Sequence, residues 1–149
     1  MTNYTTPIQR LQVVREGSLK SRPRITSTAT AKKFVQRFYD ERGSDREEFA
    51  CVYLSTKYQP LHIEVVSRGT LDAALVHPRE IFKGAILAGA SAILLTHNHP
   101  SGDSTPSLQD YDVTTRLTDA GKIIGITVLD HIVVGDDDTT SIRETPQKC

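Results

Sequence analysis

The sequence predicts one α/β (α+β) domain in which helices pack against a curved mixed sheet. Segments with apolar residues at helical spacing alternate with short strand-like runs along most of the chain. With 149 residues, 38% hydrophobic and 24% charged, the chain is long enough to bury one core without disulfides. The candidate functional residues cluster where a buried strand ends and a helix begins.

The first predicted helix starts at Thr28, with Ser27 as its cap and Gly43 just past its end. Its apolar stripe consists of Phe34, Val35, Phe38 and Tyr39. Strand-like runs at residues 47–54 and 61–66 flank a turn, which predicts a hairpin.

A second helix is expected to begin at Pro78 and to stop near Gly89. The apolar run at residues 92–95 has no polar alternation, which is typical of a strand buried on both faces. Ser107 then starts a third helix, and Thr127–Val134 forms the last clear strand.

Charge is unevenly distributed along the chain. Residues 1–46 hold ten Lys and Arg against four Asp and Glu, whereas the remainder holds eight against fourteen. Residues 1–25 lack sustained periodicity, so we expect a basic N-terminal arm before the folded domain. The arm and first helix are either a solubilising surface or a contact for nucleic acid.

No apolar run is long enough to cross a bilayer, and the first 25 residues lack a signal-peptide pattern. Cys51 and Cys149 show no framework spacing, which favours a reducing compartment. We therefore expect a cytoplasmic protein without a membrane partner.

Three residues form a candidate zinc site. His97 and His99 are two positions apart at a strand end, so both imidazoles project to the same side. Asp110, in the first turn of the next helix, can return a carboxylate to that point after the intervening loop. Two His and one carboxylate suit Zn²⁺ and leave a fourth position for water.

A carboxylate is still needed to take a proton from that water. Glu47, Glu48 and Glu64 are the candidates, and local sequence does not rank them. Ser107 can donate to a developing oxyanion or simply cap the helix with Asp110. The three remaining histidines are expected to be structural: His62, His77 and His131.

The run His97-Asn98-His99-Pro100, six residues, Ser107, two residues and Asp110 resembles the JAMM signature of MPN/JAB metallopeptidases. Further segments resemble the RadC branch of that family, and the match covers about residues 26–145. These segments are residues 68–72, 76–81, 97–103 and 129–135.

The resemblance implies a cytidine-deaminase-like MPN/JAB domain over residues 26–149 and a zinc metallopeptidase that cleaves a peptide or isopeptide bond in a peptide or protein substrate. It implies that His97, His99 and Asp110 bind Zn²⁺. In the family's Arg-Glu-x-Phe context, the acid/base glutamate matches Glu47. The family's serine, which stabilises the tetrahedral intermediate, matches Ser107. Two alternatives remain: a DNA-processing module that binds nucleic acid, and an inactive metal-bearing scaffold.

Overall fold

Helices and strands alternate along the chain in a computed structural model, which describes residues 5–43, 45–69 and 76–147. In chain order the described elements are α1 (Thr28–Arg42), β1 (Glu48–Leu54), β2 (Pro60–Arg68), α2 (Pro78–Leu87), β3 (Ala92–Asn98), α3 (Leu108–Ile124), β4 (Thr127–Val134) and β5 (Thr139–Ser141).

The strands form one open mixed sheet in the order β2-β1-β3-β4-β5. β1 is antiparallel to both β2 and β3, and its pairing with β2 forms the predicted hairpin. β3 and β4 are parallel, and α3 makes the crossover between them. The predicted α/β class with a mixed sheet is therefore confirmed.

Apolar side chains pack on both faces of the sheet. One cluster joins α2 and α3 to the sheet through residues such as Phe82, Leu117 and Phe49. The other joins α1 to the opposite face through residues such as Val35 and Leu94. β1 and β3 are buried at every position because helices cover them on both sides.

Helix ends follow the predicted caps. Ser27 accepts a hydrogen bond from the Thr30 amide at the start of α1, and Gly43 ends that helix at φ 59°. Ser107 and Asp110 form a reciprocal capping box at the start of α3. The capping expected of this pair is therefore present, and it fixes the direction in which α3 leaves the loop.

Strand boundaries differ from the sequence prediction. β1 begins at Glu48 rather than residue 47, and β2 extends to Arg68. β3 continues past its apolar run to Asn98, because β1 and β4 pair with it on both sides. The short strand β5 was not predicted, since three residues carry too little pattern.

Residues 5–25, the described part of the predicted arm, contain no helix or strand. The end of this segment lies against the β1–β2 turn: Ile25 donates its amide to Tyr58, and Arg22 donates Nε to the Pro60 carbonyl. That residues 1–25 form an arm separate from the domain stays a prediction. Within the described residues, no helix has the length and apolar character needed to span a membrane.

Gly121 of α3 packs closely against the residue before β4 and against α2. A Cβ added there would clash with the Ile126 carbonyl oxygen and lie 3.3 Å from the Phe82 ring. We expect Gly121→Ala to lower the free energy of unfolding by about 1–3 kcal/mol through overpacking, as measured by chemical denaturation. Gly17→Ala, with nothing within 4 Å of its added Cβ, is the control. Equal stability of the two variants would contradict the packing described.

Candidate metal centre

His97 and His99 occupy the end of β3 and the first residue after it. Because side chains alternate along extended backbone, the two rings lie on the same side, with their Nε2 atoms 2.9 Å apart. His97 is fully buried and stacks on Phe49, whereas His99 is half-buried. Packing therefore holds one ring rigidly, and the other lies toward solvent.

Asp110 reaches the same point from the first turn of α3. Its Oδ1 lies 3.2 Å from His97 Nε2, and its Oδ2 lies 3.4 Å from His99 Nε2. The carboxylate is only 1% exposed, and its Oδ2 also accepts the Ser107 amide at 2.7 Å. The Ser107 hydroxyl in turn accepts the Asp110 amide at 3.1 Å. The capping box thus aims the carboxylate at the two imidazoles.

Charge at this cluster favours a cation. Hydrogen bonding to Asp110 raises the pKa of His99. Burial alone would raise the pKa of Asp110, but the imidazoles of His97 and His99 beside it outweigh burial and hold that pKa well below its usual range. A carboxylate thus stays ionised beside two imidazoles, so protons and a metal ion would compete for the same nitrogen atoms.

The three candidate glutamates lie in different places. Glu47 Oε1 is 3.9 Å from His97 Nε2, at the centre. Glu48 is buried on the opposite face, where Arg42 and Arg68 both bind its carboxylate. Glu64 accepts a hydrogen bond from the Tyr53 hydroxyl. Only Glu47 among the three is therefore beside the imidazole pair.

The donor set fits a small divalent metal ion. Ligand atoms bound tetrahedrally to Zn²⁺ lie roughly 3.3 Å apart. The Nε2 atoms of His97 and His99 are 2.9 Å apart, and they lie 3.2 Å and 3.4 Å from Oδ1 and Oδ2 of Asp110, respectively. One ligand atom each from Glu47, His97 and His99 also lie within 4.8 Å of one another. Two histidines are common to both groups. Asp110 lies closer to His97 Nε2 than Glu47 does, at 3.2 Å against 3.9 Å.

Asn98, between the two histidines, holds the backbone of Glu47. Its Oδ1 accepts the Glu48 amide at 2.7 Å, and its Nδ2 donates to the Arg46 carbonyl at 3.0 Å. These groups belong to the two peptide units on either side of Glu47. The side chain of Asn98 therefore fixes both, an arrangement that depends on strand pairing and that sequence reasoning missed.

We expect Asn98→Ala to lower the free energy of unfolding by about 1–3 kcal/mol, because two hydrogen bonds to largely buried backbone are lost. Urea denaturation measures the change. Gln36→Ala removes a side-chain amide that bonds to Asp40 at the surface of α1, and it should change stability little. A loss of stability in Asn98→Ala no larger than that in Gln36→Ala would contradict the role of Asn98 in fixing the backbone around Glu47.

His131 was expected to be structural, and it contacts the cluster. Its Nε2 lies 2.7 Å from His97 Nδ1, and both rings are fully buried. The signal available in the sequence was its place on a strand after α3, but only the parallel pairing of β3 with β4 brings it to His97. His77 caps α2 through its Nδ1, and His62 lies on β2 opposite Tyr53, as structural histidines do.

Comparison with known proteins gives consistent results. A family model for the RadC-like JAB domain matches residues 25–147. A UPF0758 protein of Geobacillus sp. is 47% identical over 120 residues, which is 80% of this chain and 52% of that protein. A UPF0758 protein of Desulfitobacterium hafniense is 55% identical over 103 residues, 69% of this chain and 45% of that protein.

This chain thus spans about half the length of the curated relatives it matches. The family match covers the whole described sheet and its three helices. The chain belongs to the family of RadC-like JAB domains.

Proposed function

We propose that this domain is a zinc metallopeptidase that hydrolyses a peptide or isopeptide bond. The observation that carries the proposal is the convergence of two imidazoles and two carboxylates: His97, His99, Asp110 and Glu47. Membership of the JAB family supports a metal-dependent hydrolase. A buried free thiol at Cys51 is in keeping with a cytoplasmic location, which is part of the same proposal.

His97, His99 and Asp110 would hold the metal ion. Bound there, Zn²⁺ would polarise the substrate carbonyl and lower the pKa of water toward about 7. The neighbouring position of Glu47 suits it to hold the attacking water as a general base. As the C–N bond breaks and the C–O bond forms, Glu47 passes the water proton to the leaving nitrogen.

Ser107 suits the role of oxyanion donor. Its oxygen already accepts the Asp110 amide, and the hydroxyl hydrogen can donate to the substrate carbonyl oxygen as negative charge develops there. The capping box holds this serine next to a metal ligand. Capping and catalysis are therefore compatible functions of one side chain.

Two alternatives lead to different results. A nucleic-acid module would use the basic first third, in which Arg10, Arg15 and Lys20 are exposed, and its binding would weaken steeply with salt. Neutralising the basic residues within 10–46 without loss of such binding would exclude that module. An inactive scaffold would bind the metal ion and hydrolyse nothing.

The test is incubation of the zinc-loaded chain with a mixed library of linear and isopeptide-linked peptides in H₂¹⁸O. Mass spectrometry should detect products that carry one ¹⁸O in the new carboxyl group. Chelation should stop the reaction, and added Zn²⁺ should restore it. A fully zinc-loaded chain that leaves the library intact would count against the peptidase and favour the scaffold.

A further inference from the structure

Each imidazole at the centre is held at its outer nitrogen, Nδ1. For His99 the contact is direct, because Nδ1 lies 2.7 Å from the backbone carbonyl oxygen of Asp103. A carbonyl oxygen can only accept a hydrogen bond, so this Nδ1 carries the hydrogen. Nε2 of the neutral ring therefore keeps its lone pair toward the centre.

His97 is held by a longer chain of hydrogen bonds that crosses from β3 to β4 and α3. Its Nδ1 lies 2.7 Å from His131 Nε2, and His131 Nδ1 lies 2.7 Å from the Thr114 hydroxyl. Thr114 Oγ1 lies 2.7 Å from the backbone carbonyl oxygen of Asp110. This series of hydrogen bonds thus ends on a backbone carbonyl oxygen, as the single hydrogen bond of His99 Nδ1 does.

The Asp110 carbonyl sets the donor-to-acceptor direction of every hydrogen bond in this series. Thr114 has one hydroxyl hydrogen and donates it to Asp110, so its oxygen accepts from His131 Nδ1. A neutral His131 then has a lone pair on Nε2, which accepts the hydrogen on His97 Nδ1. Nε2 of His97 is left with its lone pair, on the side of His99 and Asp110.

We propose that His131 and Thr114 are positioning residues, which fix His97 in the Nδ1–H tautomer and so keep its Nε2 available to a metal ion. The inference rests on the proposed function, since it concerns the same centre. Both residues act through His97 rather than on the reacting atoms. Outer partners of this kind orient a ligating imidazole and raise its basicity.

Thr114→Val tests the proposal, because it removes the hydroxyl at nearly constant volume. Thr118→Val is the matched control: Thr118 lies one turn later on α3, is half-buried and makes the same type of bond, to the Thr114 carbonyl at 2.7 Å. Competition with a chromophoric chelator measures the zinc Kd. We expect about 10–100-fold weaker binding in Thr114→Val and no change in Thr118→Val.

The tautomer itself is read in the metal-free wild type by long-range ¹H–¹⁵N NMR, at a pH where both rings are neutral. We expect Nδ1–H at His97 and at His131. An Nε2–H tautomer at His97, or equal zinc Kd values for Thr114→Val and Thr118→Val, would overturn the proposal. If the wild type bound no zinc the proposed function would fail, whereas the tautomers of the metal-free chain would still decide this inference.

Discussion

Replacing Glu47 by Gln is expected to slow peptide hydrolysis by about 10²–10⁴-fold while bound zinc stays at the wild-type level. The amide is isosteric with the carboxylate but cannot accept a proton from water. Glu47 Oε1 is 3.9 Å from His97 Nε2, farther than either oxygen of Asp110 from its nearest imidazole, so we expect no loss of a ligand. Steady-state kinetics on a cleaved library peptide, with zinc quantified in the same sample, measures both effects.

Glu41→Gln is the control for this change. Glu41 is half exposed on α1 and pairs with Arg37 one turn earlier, so the same substitution there should leave both rate and zinc unchanged. Full activity in Glu47→Gln would assign the proton transfer to another group. Loss of zinc in Glu47→Gln would instead make Glu47 a ligand, and the assignment of Asp110 would need revision.

Zinc is expected to stabilise the wild type strongly and Asp110→Ala hardly at all. A ligand that binds only the folded chain adds about 4 kcal/mol of stability at a free concentration of 1,000 times its Kd. For a chain of this size that corresponds to a rise in Tm of roughly 10 °C. Asp110→Ala removes the carboxylate that lies 3.2 Å and 3.4 Å from the two imidazoles. Differential scanning calorimetry with and without Zn²⁺ measures the difference.

Asp112→Ala provides the comparison, because Asp112 is an exposed acid on the same helix. Its Tm should rise with zinc as that of the wild type does. If Asp110→Ala gained as much from zinc as Asp112→Ala, Asp110 would not be a ligand. A metal-free Asp110→Ala that melts far below the metal-free wild type would report the lost capping box, so the zinc-dependent shift is the quantity compared.

Much of the fold could be predicted because its signals are local. The caps at Ser27 and Ser107 and the buried run before His97 are each contained in a few neighbouring residues. Spacing alone also placed His97 and His99 on one side of the chain. The approach of Asp110 was expected because the intervening loop can reverse direction, and the structure places the three side chains next to one another.

What could not be predicted depends on pairing between distant segments. Local spacing did not rank Glu47, Glu48 and Glu64, and only the family resemblance pointed to Glu47. The register of β1 places Glu47 by His97 and Glu48 by Arg42. The contact of His131 with His97 needed the parallel pairing of β3 and β4. Neither relation leaves a periodicity or spacing in the sequence, so a single chain read alone does not contain it.

Elemental analysis of the purified chain, after zinc loading and removal of unbound metal, tests the metal centre most directly. Measured beside His97→Ala, the wild type should carry about one zinc ion per chain and the variant close to none. A wild type that retains no zinc, or a His97→Ala variant that retains as much, would contradict the centre formed by His97, His99 and Asp110.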